Sequence, residues 1–141
     1  MNARILLACV LAVAPARGAA SRADAAVDAI TGTWRGSSLC VNRQALPACG
    51  DEQVVYDIAA TVGKAHAVTV AADKIVDGQR VPMGVLDFTH DAASGVWTTE
   101  IETPRTHARV RLDVRGAVIK GTMTLVPSGT VVRQIDLRKE K

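Results

Sequence analysis

The chain has 141 residues, 17 basic and 14 acidic side chains, and very few aromatics: two Trp, one Tyr and one Phe. That length suits one domain around one core. Mixed charges with so few stacking groups exclude a nucleic-acid surface, which concentrates basic residues and interleaves them with aromatics.

In chain order, Met1 to Arg4 is a short basic start, and Ile5 to Ala14 is an unbroken apolar run. The run has the length of a signal-peptide core and is too short to span a bilayer as a helix. The sequence therefore predicts a signal peptide over residues 1–20 and a periplasmic or secreted product starting at Ser21. Three small-x-small sites fit, so cleavage after Ala16, Ala20 or Ala25 stays open. Leu6-Leu7-Ala8-Cys9 resembles a bacterial lipobox. Lipidation at Cys9 would leave only Ile5 to Ala8 as the apolar segment, so no lipid anchor is expected. Removing Arg4 and Arg17 with the leader leaves 15 basic residues against 14 acidic ones. The basicity of the whole chain mostly disappears with it.

Cys40 and Cys49 remain. An even pair behind a signal peptide implies an oxidising compartment and a structural bridge. The spacing is too long for a C-x-x-C redox motif, and no second ligand pair accompanies it for a metal. Residues 21–30, rich in Ala and Asp, read as a flexible mature N-terminus with at most a transient helical turn. The folded domain is expected over residues 31–141.

From Gly32 the pattern alternates with the period of strands. The first strand runs from Gly32 to Val41, followed by the loop Asn42 to Asp51 with Pro47 and the bridge. The second, Glu52 to Val62, puts Val54, Tyr56, Ile58, Ala60 and Val62 on one face. The third, Ala65 to Ala72, puts His66, Val68 and Val70 together. Asp77-Gly78 signals a tight hairpin. The fourth strand, Pro82 to His90, carries Leu86 and Phe88, and the fifth, Val96 to Glu102, carries Trp97, Thr99 and Ile101. The sixth faces Ala108, Val110, Leu112 and Val114 inward and His107, Arg109, Arg111 and Asp113 outward. The seventh presents Ala117, Ile119, Gly121, Met123 and Leu125. The eighth presents Val131, Arg133, Ile135 and Leu137. Eight strands with short connections make an all-β, antiparallel up-and-down meander. Closing it into a barrel removes its edges, and eight strands give an interior that is filled or holds one small ligand. A two-sheet β-sandwich is the alternative.

Gly32-Thr33-Trp34 resembles the G-x-W signature at the first strand of lipocalins and related calycins. The resemblance implies a barrel whose Trp34 packs at the closed end, with a basic residue from near the C-terminus lying across the indole. Arg133 is the candidate, because alternation puts it on the apolar face of the last strand; Arg35 and Arg138 are the substitutes. The mature chain is shorter than a usual secreted lipocalin, and no C-terminal helix is read. The string from Gly32 to Cys40, with Pro47-Ala48-Cys49 and Asp51-Glu52-Gln53-Val54-Val55-Tyr56, is also similar to small uncharacterised secreted bacterial proteins, which implies no activity.

The chemistry-bearing residues form no catalytic pattern. His66, His90 and His107 lie on different strands without metal-ligand spacing. Glu100 and Glu102 share a face, Asp87 could join them from a neighbouring strand, and all three read as solvated, as does the Asp51-Glu52 loop. No G-x-S-x-G surrounds any serine, and no glycine-rich phosphate loop precedes a helix. The expected function is non-catalytic, without cofactor or metal. It is the carriage or sensing of a small hydrophobic ligand by Tyr56, Ile58, Val68, Leu86, Phe88, Trp97, Val110, Leu112 and Met123. The alternative is an envelope interaction protein, such as a periplasmic protease inhibitor that inserts residues 21–30 into a partner's cleft.

Overall fold

The structure is a computed structural model that describes residues 21–141. The expected leader, Cys9 and the sites after Ala16 and Ala20 lie outside the described residues. One helix, α1 (Arg22–Ile30), precedes eight strands: β1 (Gly32–Cys40), β2 (Glu52–Ala60), β3 (Ala67–Val76), β4 (Gln79–Asp91), β5 (Val96–Thr103), β6 (Thr106–Arg115), β7 (Val118–Leu125) and β8 (Val131–Lys139). Each strand pairs antiparallel with the next, and β8 returns to β1, closing the barrel. The meander barrel expected from the alternation is the observed architecture, and the sandwich is not. Among the described residues no helix is long and apolar enough to cross a membrane.

Residues 21–30 correct the expectation of a flexible terminus. Ser21 Oγ accepts from the Asp24 amide, and the Asp24 carboxylate accepts from the Ser21 amide, both at 3.2 Å. This reciprocal cap satisfies two of the donors a helix start leaves free. Ala-rich sequence propagates the helix at little entropic cost. Ala26, Val27 and Ile30 form one stripe against the barrel, and Ile30 is fully buried. The apolar stripe, too short to be a strong periodic signal, is what docks the helix. While α1 stays docked, this segment has no freedom to enter a partner's cleft, and a cut after Ala25 would remove about half of it.

The strand interiors follow the alternation with three local corrections. First, β3 runs on to Val76 and β4 starts at Gln79, because Asp77 and Gly78 both take positive φ (50° and 76°) in a two-residue turn. Such a turn leaves no room for loop residues between paired strands. Second, β2 stops at Ala60. Val62 is exposed, and His66, expected inward, takes φ 58° in the exposed connection. Third, a bulge between Met123 and Thr124 shifts the β7–β8 register. Val131 is therefore exposed and Val132 fully buried, with its carbonyl accepting from the Val41 amide at the bridged loop. Cys40 and Cys49 form the disulfide, with Cα atoms 5.7 Å apart, within the ordinary range for a bridge.

Two inward glycines let the wall close tightly. A Cβ on Gly36 would stand 1.9 Å from the Asp136 carbonyl oxygen of the neighbouring strand. A Cβ on Gly121 would stand 2.7 Å from the Arg111 carbonyl oxygen and from Leu112 Cδ2. Outside, cross-strand ion pairs clad the barrel, among them Arg80 with Asp57 and Asp73, Lys120 with Asp136, and Arg109 with Glu100. Hydrogen bonds from Arg80 and then Thr33 hold the Asp57 carboxyl below its usual range.

Candidate ligand cavity

The two ends of the barrel differ. At the α1 end, Trp34 is fully buried and donates its indole N–H to the Ile30 carbonyl at 2.7 Å. Lys139 sits over the ring at 5.2 Å and donates to the Ala29 carbonyl at 3.1 Å. One aromatic and one cation thus satisfy carbonyls that the helix C-terminus leaves without intrahelical partners. Around them pack Ile58, Val68, Trp97, Leu112, Ile119 and Leu137, all 3 % exposed or less.

This arrangement corrects the assignment of Arg133. The register pairs Trp34 with Lys139, and Cys40 with Arg133. Six residues of strand put Arg133 roughly 20 Å from the indole. The basic residue that reaches Trp34 must come from the end of β8 that meets the start of β1, and inward alternation there leads to Lys139.

At the other end the barrel is hollow. A cavity of about 270 Å³ is enclosed by Tyr56, Val70, Ala72, Leu86, Phe88, Ile101, Val110, Met123 and Ile135, with Met83, Gly84 and Val85 at its β4 side and Ser38, Glu52 and Arg133 as its polar corner. Of the nine residues expected to bind a ligand, the structure brings five together there: Tyr56, Leu86, Phe88, Val110 and Met123. Ile58, Val68, Trp97 and Leu112 are instead packed into the core at the α1 end. Alternation identifies the inward face of a strand but not the level along the barrel, and that level separates lining from plug. Phe88 lines the cavity and pairs with the plug residue Val68 across β3 and β4, which puts it at the boundary.

The cavity opens sideways. β4 and β5 pair only from Thr89–Thr98 to Asp91–Val96. Continuing that register would set Leu86 opposite Ile101, but the strands part there. The exposed apolar residues Val81, Met83 and Val85 cluster on β4 beside this seam. Pro82 and the register shift at Ala72/Asp73 interrupt the free β4 edge. A missing N–H and a local twist are the devices that keep an edge from accepting another strand. On the outer side of the seam Asp87, Asp91, Glu100, Arg109 and Arg111 line a polar groove.

The polar corner joins Arg133, expected at the other end of the barrel, to Ser38, Gly50 and Glu52, which the sequence did not single out as a site. Arg133 Nη1 donates to Ser38 O (3.1 Å) and Ser38 Oγ (2.8 Å). Nη2 donates to Gly50 O at 2.6 Å and pairs with Glu52 Oε2 at 3.2 Å. Glu52, read as solvated loop, opens β2 and turns into the cavity; its alternation with Val54 and Tyr56 was the available signal. Burial pushes the Tyr56 phenol up to about 12, with Arg133 opposing and Glu52 reinforcing the shift.

The remaining candidates are outside this cavity. Glu100 is engaged by Arg109 and by His107 at 3.2 Å, which hold its carboxyl low. Asp87 is held low by Thr69 and Lys64. His90 stacks on Trp97 with centroids 4.8 Å apart, and its Nδ1 is buried without a hydrogen-bond partner among the described residues. Among those residues no three His, Cys, Asp or Glu side chains cluster as metal ligands would.

Comparison with family models, with curated proteins and with solved structures finds no match for this chain. A closed eight-stranded meander is the fold that the G-x-W resemblance implied, and the fold alone does not place the chain among the lipocalins.

Proposed function

We propose that this chain is a non-catalytic binding protein that carries or senses one small apolar molecule in its barrel. The observation that supports the reading is the partition of the interior: one end is plugged by Trp34 and α1, and the other is left empty behind an apolar wall with a lateral opening. A barrel whose purpose was only stability would gain from filling that space, since buried voids forfeit packing energy. The volume lies just below the usual range of about 300–1,000 Å³ for drug-sized ligands, which favours a small occupant such as a short acyl chain or a compact aromatic molecule.

Export belongs to the same proposal. Residues 1–20 act as a cleaved leader, and the protein works in the periplasm or outside the cell, where the Cys40–Cys49 bridge persists. The outer-wall carboxylates Asp87 and Glu100 are committed to ion pairs, which supports a role without catalysis.

The test is titration of the purified protein with the fluorescent probe 1-N-phenylnaphthylamine. Saturable binding of one molecule per chain is expected, and Ala72→Leu, which fills the cavity from β3, abolishes it. A probe signal that never saturates, or one indifferent to Ala72→Leu in a variant that still melts cooperatively, rejects the reading.

A further inference from the structure

We propose that the cavity selects a neutral molecule with one hydrogen-bonding end, and that the Arg133–Glu52 pair sets this selectivity. The inference rests on the binding reading above and goes further by naming the ligand's polar chemistry.

Inside an apolar wall, a charged group is tolerated only when it is paired and hydrogen-bonded. Arg133 meets both conditions. Its side chain is 13 % exposed, and its two terminal nitrogens are taken up by Ser38, by the Gly50 carbonyl and by one Glu52 oxygen. Glu52, 27 % exposed, supplies the balancing negative charge from β2. The two charges cancel within the corner where a ligand's polar end would rest, since every other wall position is apolar or Tyr56.

A carboxylate entering this corner has two options. It can displace Glu52 from Arg133, stranding a second anion beside it, or it can remain unpaired against Glu52. An alkylammonium meets the mirror situation at Arg133. A hydroxyl or amide faces neither penalty and can bond to Glu52 or to the Tyr56 phenol, which stays protonated. Selectivity of this kind works by rejecting the wrong charge rather than by adding attraction for the right head.

The experiment is competition against bound 1-N-phenylnaphthylamine by octanol, octanoate and octyltrimethylammonium at neutral pH. Their tails are the same and only the heads differ. Octanol is expected to displace the probe at a concentration about tenfold or more below either ion. Glu52→Gln leaves Arg133 unbalanced, and octanoate then gains about tenfold while octanol changes little. Arg133→Gln does the reverse, favouring octyltrimethylammonium, and keeps the test available if one variant folds poorly. Equal affinity for the three heads in the parent, or head preferences unmoved in both variants, overturns the inference and leaves the binding reading standing. Failure of the probe itself to bind removes both.

Discussion

Lys139 and Trp34 are partners in the register that closes the barrel: the last residue of β8 lies over the indole of β1, 5.2 Å from its ring centroid, while both side chains donate to consecutive carbonyls at the end of α1. Helix, first strand and last strand are fastened at one point. Trp34→Ala is expected to cost about 3–5 kcal/mol, the range for a fully buried large aromatic. Trp34→Phe retains much of the packing but leaves the Ile30 carbonyl without its donor, and should cost about 1–3 kcal/mol. Urea unfolding monitored by circular dichroism checks both, and a loss below ~1 kcal/mol for Trp34→Ala would contradict the plug.

Gly36 and Gly84 predict opposite outcomes for the same substitution. A methyl at Gly36 collides with the Asp136 carbonyl across the β1–β8 pair, whereas nothing lies within 4 Å of one at Gly84. Backbone cannot move aside as a side chain can, so Gly36→Ala is expected to lose more than about 3 kcal/mol or fail to fold. Gly84→Ala should lie within about 0.5 kcal/mol of the parent. Thermal melts of the two variants decide it.

Tyr56 is the sole tyrosine, so its ionisation can be followed by ultraviolet absorbance. Its pKa is raised by burial from 10.0 to about 12. Because the folded value is the higher one, its contribution to stability is fully present below pH 10 and is lost as pH climbs toward about 12. In that window the unfolded chain binds fewer protons, and stability falls by about 1.4 kcal/mol per pH unit. Tyr56→Phe should flatten this alkaline decline. An ordinary tyrosine titration near pH 10 in the folded protein would show that the phenol is not buried.

The bridge supports both stability and the polar corner. Replacing Cys40 and Cys49 by Ser should remove about 2–3 kcal/mol through the unfolded state, as a ring of this size predicts. The loop it closes also holds Gly50, whose carbonyl accepts from Arg133. Ligand selectivity should therefore weaken in the double variant even where it remains folded, as read by the octyl-head competition.

Hydrogen exchange should locate the seam. β4 before Thr89 lacks a partner on its β5 side, so alternate amides from Met83 to Phe88 should exchange faster than those shared between β3 and β4. Uniform protection across β4 would mean that the strands zip together in solution. Added probe or octanol should slow these amides first if the ligand sits where the cavity is.

The expected cavity residues show where sequence reading stops. Val68 and Val70 look alike by alternation, as do Leu112 and Val110. Yet Val68 and Leu112 plug the barrel while Val70 and Val110 line its empty end. Strand tilt and register decide that level, and neither is encoded in a period of two. The β4–β5 seam was equally hidden, because a strand that parts from its neighbour reads the same as one that stays paired.

The all-β class, the inward faces of most strands, the Asp77-Gly78 hairpin and the Cys40–Cys49 pair were legible in the order of residues, because each depends on neighbours within a few residues. It took the folded barrel to reveal that α1 docks against it, that Lys139 rather than Arg133 reaches Trp34, and that Glu52 and Arg133 share a corner of an open cavity. Those facts depend on which distant residues the closing of β8 onto β1 brings level with one another.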